Sequence, residues 1–318
     1  MDRQMVIVTK SGLADTVPKG AVILLGYFDG FHIGHKALAE AAYEIKTRKN
    51  APCVMIWTFR HLSKGKAITD NDEKAEAFFS YASAHDDPDA AVAFEEFTRV
   101  SHLSGEDFVR EILYRQFAPC AVVCGFNFRF GKNGACGAGE LTEYCKPFGI
   151  ECCVVPPFTS DGNVVSSTAI RRLIASGDVF RAMAWMERPY SVTAPVIHGK
   201  RIGHTLGFPT VNQRIPENKV SPAFGIYACR VKLPDGVMKN GVCNIGSRPT
   251  VNGDCSDITL ETYIFDYNGD LYGEVITVYF YKKLRDEMRF SSRGELSEQI
   301  ARDKENAARF FDGGLNWV

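Results

Sequence analysis

Two histidines set three residues apart, His32 and His35, close the string Gly26-Tyr-Phe-Asp-Gly-Phe-His-Ile-Gly-His35. Imidazoles at that spacing can meet on one helix face. A helix N-terminus beside them would add free N–H groups and a positive dipole end, which favour an anion. Gly26, Gly30 and Gly34 fall four apart. A sharp turn on the three is expected, with Gly34 leaving the backbone open to a phosphate. This is not the G-x-G-x-x-G of a dinucleotide site, and the next strand runs into Thr58-Phe59-Arg60 with no acid for a ribose. A lone His-x-Gly-His is ordinarily a capped helix entrance; here the strand, the glycines and the helix agree on a binding site. In Val165-Ser-Ser-Thr-Ala-Ile-Arg171, the hydroxyls of Ser166, Ser167 and Thr168 suit an N-cap, and Arg171 falls in the first turn. Thr210 and Asn212 carry uncharged oxygens that suit a magnesium ion already neutralised by phosphates. On spacing alone, however, Pro209-Thr-Val-Asn212 is an ordinary turn, and Glu261 a strand residue facing solvent.

The elements that must position these residues change character along the chain. Ala21–Leu25, Cys53–Trp57, Ala91–Phe94, Ala121–Cys124 and Cys152–Val155 are short apolar runs that read as buried strands. Between them, helical spacing is predicted over Lys36–Ile45 (one turn past the histidines), Glu73–Ala84 and Ser104–Leu113. That alternation predicts a parallel sheet with helices on both faces and ligands beyond the carboxyl ends of the strands. At one such end, Gly125–Lys132 fails as a Walker loop. Five residues separate Gly125 from Gly131, and Asn133 stands where Ser or Thr must hold magnesium. Phe126, Phe128 and Phe130 alternate, giving a strand with an aromatic face, either core or a site for a flat ring. The glycine-rich run Gly131–Gly139 is expected to be a mobile loop.

After Trp185–Tyr190 the pattern turns to two-residue alternation, with hairpin signals at Pro234-Asp-Gly236 and Tyr267-Asn-Gly-Asp270. Strands are predicted over Ser191–Ile197, Ile226–Leu233, Met238–Cys243, Thr259–Phe265 and Glu274–Tyr281. A helix capped at Ser292 follows to about Phe311. A small antiparallel β-barrel with a C-terminal helix is expected, and the long glycine-rich stretch Gly199–Asn212 is expected to be a binding loop.

Bulk properties set the frame. The 318 residues allow two domains, and 37 basic against 38 acidic side chains leave no field that points to nucleic acid or membrane. No signal-peptide pattern or membrane-length apolar run is present, so a soluble, cytoplasmic protein is expected. The ten cysteines form no C-x-x-C pair, and several lie in apolar runs; reduced, buried thiols are expected.

The histidine string resembles the adenylyl-transferring signature of the nucleotidyltransferase superfamily, in the longer form found in prokaryotic bifunctional riboflavin kinase/FAD synthetases. Gly125–Gly131 and Ser166–Arg171 resemble further segments of that family's adenylyltransferase domain. Leu206-Gly-Phe-Pro-Thr-Val-Asn212, Gly241–Thr250 and Leu260–Gly273 resemble its kinase domain. The resemblance implies a Rossmann-like α/β FAD synthetase domain over 1–187 and a riboflavin kinase barrel over 188–318. In the first, Gly26, Phe28, Asp29, Gly30, Gly34, Ser166, Ser167 and Thr168 would hold ATP, with His32, His35 and Arg171 catalytic. Phe59, Asn127, Phe128 and Phe130 would hold the flavin. In the second, Gly199, Gly203 and Thr205 would face ATP, Gly207, Phe208 and Arg293 the flavin, and Thr210 and Asn212 Mg2+. Glu261 would be the base.

By the same resemblance, riboflavin, FMN and ATP are the substrates. The two reactions ask for different groups. Phosphorylating an alcohol calls for a carboxylate, ionised at neutral pH, to take the proton. Adenylylating a phosphate, already ionised, needs no base, only donors that stabilise charge at the α-phosphorus and on pyrophosphate. Thr58-Phe59-Arg60-His61-Leu62 lacks the acid and two prolines usual there, His204 replaces a common arginine, and Tyr263 a common histidine. The competing readings are a kinase alone, or a flavin-binding module without turnover.

Overall fold

The computed structural model describes residues 5–60, 65–199, 208–248 and 257–313. It divides into two compact units between Ser167 and Thr168.

In the first unit a seven-stranded sheet has the order β2-β1-β5-β4-β3-β6-β7. Five strands run parallel: β3 (Val22–Leu25), β4 (Val54–Phe59), β5 (Ala91–Glu95), β6 (Ala121–Gly125) and β7 (Glu151–Val155). β3 is fully buried because alternate residues serve two cores. Ile23 and Leu25 join Met55, Trp57, Val122 and Cys124 on one face; Val22 and Leu24 join Val54, Ile56, Ala121 and Val123 on the other. Helices α1 (Ile33–Lys49) and α2 (Asn71–Ala84) cover the second face. The first is covered by α3 (Phe108–Phe117), a π-helix closed by the Ala118 N–H donating to the Leu113 carbonyl, and by α4 (Ala138–Cys145). Helices on both faces are therefore observed. β1 (Val6–Thr9) and β2 (Gly12–Ala14), which the sequence pattern did not reveal, add an antiparallel edge beside β5.

Two local expectations are corrected. α1 begins at Ile33, a turn earlier than its apolar spacing suggested, because His32 is its N-cap. Phe126–Phe130 is not a strand. The Phe126 N–H donates to the Val155 carbonyl and the Phe128 N–H to the Gly125 carbonyl, so the chain turns. Across Gly131–Gly139, Phe130 and Cys136 exchange two backbone hydrogen bonds, and Glu140 accepts from the Gly137 N–H at the start of α4. A small hairpin, β8 (Thr159–Ser160) and β9 (Asn163–Val164), ends the unit.

The second unit opens with α5 (Ser167–Ser176), whose first residue belongs to the unit before, and α6 (Val179–Met186). Six antiparallel strands follow: β10 (Tyr190–Pro195), β11 (Thr210–Arg214), β12 (Gly225–Lys232), β13 (Met238–Arg248), β14 (Asp257–Ile264) and β15 (Val275–Arg285). Their order is β10-β15-β12-β13-β14-β11. The Ile197 N–H donates to the Asn212 carbonyl at 2.7 Å and the Gln213 amide to the Ala194 carbonyl at 2.7 Å, so the sheet curls until its end strands meet. β11 corrects the loop expectation for 199–212, whose last residues are a paired strand. Helix α7 (Arg293–Asp312), capped by Ser292, packs Ala307 and Phe311 against Ala228, Val242 and Tyr281. The Arg285 guanidinium grips the buried Asp303 carboxylate with two hydrogen bonds of 2.9 and 2.6 Å, fixing α7 to β15.

Candidate active sites

β3 lies where the strand order reverses, between β4 and β6, which is where ligands gather in open α/β sheets. The histidine string leaves its carboxyl end. Phe28 (φ 50°), Gly30 (φ 85°) and Phe31 (φ 36°) make the left-handed turn there. Two of these are not glycines, and burial of both rings holds them in that conformation. Gly26 and Gly34 do not share in it. Gly34 lies inside α1, where an added Cβ would come within 3.1 Å of the His32 ring. It makes room for the His32 imidazole.

The two histidine rings stack at 3.7 Å, tilted by 18°. His32 Nδ1 accepts from the His35 N–H, and the Ser167 hydroxyl sits 3.4 Å from His32 Nε2 while donating to the Asp29 carbonyl. Burial, then His32 and then Lys74, holds the His35 pKa well below its ordinary value, so this ring is neutral at neutral pH. Its Nδ1 has no hydrogen-bond partner among the described residues. Asp29 faces inward: its carboxylate accepts from the N–H groups of Ile68 and Thr69 and from the Thr69 hydroxyl, which in turn accepts from the Gly30 N–H. The carboxylate thus braces the turn. Ser166 is half-buried and Thr168 exposed at the start of α5, and Arg171 stands half-buried as the fifth residue of that helix, just past the first turn expected for it.

An aromatic cluster borders the same strand ends. The Phe59 ring lies 5.3 Å from Tyr27, 5.1 Å from Trp57 and 5.3 Å from the exposed Phe97. Phe128 is half-buried and stacks at 5.7 Å on Phe130, which is itself core; Asn127 is exposed. Beside Phe59 in register, the buried Glu95 carboxyl is raised by desolvation, against the Glu96 N–H and Arg99, which lower it. Its Oε2 has no hydrogen-bond partner among the described residues.

In the second unit Glu261 lies directly across from Asn212 on β11 and Asn244 on β13. Glu261, Asn244, Thr210, Phe208 and Tyr263 line a cleft of about 250 Å³ closed by Phe290 and α7. A second hollow, about 390 Å³, lies along Pro209, Thr210, Tyr267, Asn268, Asp270 and Tyr272, so Thr210 borders both. Gly199 crowds the Asn212 amide so closely that any side chain at 199 would collide with it. Arg293 is exposed and does not line the cleft. Gly203, Thr205 and Gly207 lie outside the described residues, as do His61, Leu62 and His204. Sequence reasoning missed Asn244, Thr58, Thr69 and Lys74. Asn244 could have been found from its place in Gly241–Thr250, one of the segments that resemble the kinase domain; the other three show no signal without the fold. The nine described cysteines are free thiols, and no group of three or more His, Cys, Asp or Glu among the described residues could hold a metal.

A family model described as FAD synthetase matches residues 14–169, and one described as riboflavin kinase matches 186–311. A curated protein of Escherichia coli (strain K12) is 33% identical over 304 residues, covering 94% of this chain and 95% of its own length. One of Bacillus subtilis (strain 168) is 31% identical over 305 residues, covering 92% of each. Both are called bifunctional riboflavin kinase/FMN adenylyltransferase. A solved structure named as a macrolide-efflux protein from Streptococcus pneumoniae is 26% identical with a TM-score of 0.80, covering 95% of this chain and 96% of that one. Among the described residues no helix is long and apolar enough to cross a membrane.

Proposed function

The chain belongs to the family of bifunctional riboflavin kinases/FMN adenylyltransferases, and we propose how its residues divide the two reactions, with adenylyl transfer in 1–187 and the kinase in 188–318. Riboflavin is phosphorylated by ATP to FMN, and FMN is adenylylated by a second ATP to FAD with release of pyrophosphate.

In the kinase, Glu261 takes the proton of the riboflavin alcohol as its oxygen bonds to the γ-phosphorus; the bond to the bridging oxygen breaks and ADP leaves. Flavin takes the cleft beside Phe208 and Tyr263, and ATP the hollow along Tyr267–Tyr272. Thr210, which borders both, and Asn212 would hold Mg2+. The uncharged oxygens of Thr210 and of Asn212, whose amide lies against Gly199, fit an ion whose charge the phosphates already balance. When bound, the ion supplies electrostatic stabilisation of the transferring phosphoryl group.

In the adenylyltransferase, a phosphate oxygen of FMN bonds to the α-phosphorus of ATP and the α–β bridge breaks. His32, His35 and the α1 N-terminus stabilise the charge, and Ser166, Ser167, Thr168 and Arg171 take the triphosphate with Gly26 and Gly30. Phe59, with Phe128, takes the flavin ring. Phe28, Asp29, Gly34 and Phe130 support these from within. The stacked histidine pair beside Ser167 is the observation that carries this half of the reading. The chain is proposed to work in the cytoplasm, in keeping with its free thiols.

The test is direct: purified protein is incubated with riboflavin, ATP and magnesium, and the flavins are separated by chromatography. Both FMN and FAD are expected. FMN without FAD would favour a kinase alone.

A further inference from the structure

Lys74 carries a charge that neither proposed reaction uses, and it is nearly sealed, with 4% of its surface exposed. Its ammonium donates to the Thr58 hydroxyl at 3.4 Å and to the Phe59 carbonyl at 3.3 Å, and lies 5.8 Å from the centre of the Phe94 ring. All three are neutral. Among the described residues no carboxylate stands within ion-pairing distance of it. The titratable groups that feel it are Asp29, on the motif turn, and His35, stacked with His32 on α1. Asp29 already has its carboxylate committed to Ile68 and Thr69. A buried ammonium without an ion-pair partner is costly, and burial lowers the Lys74 pKa to about 8 against the pull of Asp29. An anion arriving nearby would relieve that cost.

Thr58 carries the contact onward. Its hydroxyl accepts from Lys74 and donates to the Tyr27 carbonyl at 2.9 Å, inside the histidine string. The other side of the same turn is braced by Thr69, just before α2, the helix that bears Lys74. We propose that Lys74 is a positioning residue for adenylyl transfer: through Thr58 it fixes the Tyr27–Gly30 turn beside the stacked histidines, and it lends the site a positive charge toward polyphosphate. The inference rests on the reading of this unit as the adenylyltransferase.

The test compares Lys74→Met, Lys74→Arg and Thr58→Val in the full chain, measuring FAD formation from added FMN and ATP, and FMN formation from riboflavin as control. In K74M the turnover number for FAD formation should fall by between about tenfold and a hundredfold, with FMN formation unchanged. The acid limb of its FAD-forming pH profile should move to higher pH, because one of the two charges that depress His35 is gone while His32 remains. K74R should recover most of the rate, and T58V should lose rate without moving the limb. T58V keeps the test decisive should K74M fail to fold. Native turnover and an unmoved limb in K74M, or native turnover in T58V, would overturn the proposal. A wild-type protein that makes no FAD sinks this inference and the adenylyltransferase reading together; a wild-type that makes FAD, with an indifferent K74M, sinks the lysine alone.

Discussion

Replacing His35 with alanine should separate the two activities. The ring is neutral at neutral pH, since burial and the charges of His32 and Lys74 hold its pKa down. It therefore offers the transition state one N–H dipole, held in place by the stack on His32 at 3.7 Å and by the Phe28 ring at 5.0 Å. Removing one positioned donor from developing charge costs about 3 kcal/mol, or roughly a hundredfold in rate. FAD formation from FMN and ATP should fall by that factor, while FMN formation from riboflavin, assigned by the proposal to Glu261 in the other unit, should not change. Chromatographic separation of the three flavins after timed incubation reads both rates from one sample. His35→Asn, which keeps an N–H, should lose less. If FMN and FAD formation fell together, separate sites would be refuted; if FAD formation held within a factor of two, His35 would have no part in it. The same depressed pKa has a stability consequence. Between the folded value and about 6.5 the unfolded chain binds the proton more readily, so this stabilisation is complete above about pH 6.5 and is lost as pH falls through the folded value. Urea midpoints at pH 7.5 and pH 5 should therefore draw closer together in H35A than in the wild type.

Glu261→Gln should lower riboflavin phosphorylation by about a hundredfold or more and leave FAD formation from added FMN intact, measured by the same chromatography. Gly34→Ala places a methyl 3.1 Å from His32 Nδ1 and 3.2 Å from its Cε1; FAD formation should drop by about tenfold, with a circular dichroism spectrum unchanged. Asp303→Ala leaves Arg285 without its buried partner and frees α7 from β15. It should cost about 3–5 kcal/mol by denaturant unfolding and raise the KM for riboflavin, since Arg285 and Asp303 both line the cleft proposed to take the flavin.

How much of this could be read from the chain varied with the range of the forces involved. β3 and α1 were legible because burial on two faces and helical spacing are local patterns. The start of α1 was not, because His32 caps the helix by accepting from the His35 N–H, a contact that apolar spacing does not mark. Phe126, Phe128 and Phe130 alternate as a strand would, yet the Val155 carbonyl captures the Phe126 N–H and the run turns; only the β6–β7 register supplies that partner. β11 was hidden because Thr210 and Asn212 stood out for their oxygens, and the strand that pairs with them is some fifty residues on. The pairing of Asn212 with Glu261 had a trace in the sequence only through resemblance. Asn244 on the other side of Glu261 had the same trace and was passed over.

The two sites also differ in what kind of residue holds them, and the difference follows from their chemistry. A base must meet one proton at one moment, and Glu261, proposed for that role, stands on a strand between two others, where pairing fixes its backbone against both neighbours. Adenylyl transfer needs no base, only dipoles already aimed at a phosphorus, because reorienting them during reaction would return the gain. The histidine turn meets that need with backbone that has little freedom. Phe28 and Phe31 sit at positive φ under full burial, the Asp29 carboxylate and Thr69 hold one side, and Thr58 with Lys74 holds the other. Such a turn is costly to form and would relax if any brace were cut. The residues around the turn that make no contact with substrate should therefore affect FAD formation through the turnover number, while substitutions at Phe59 or Phe128 should act mainly on the KM for FMN.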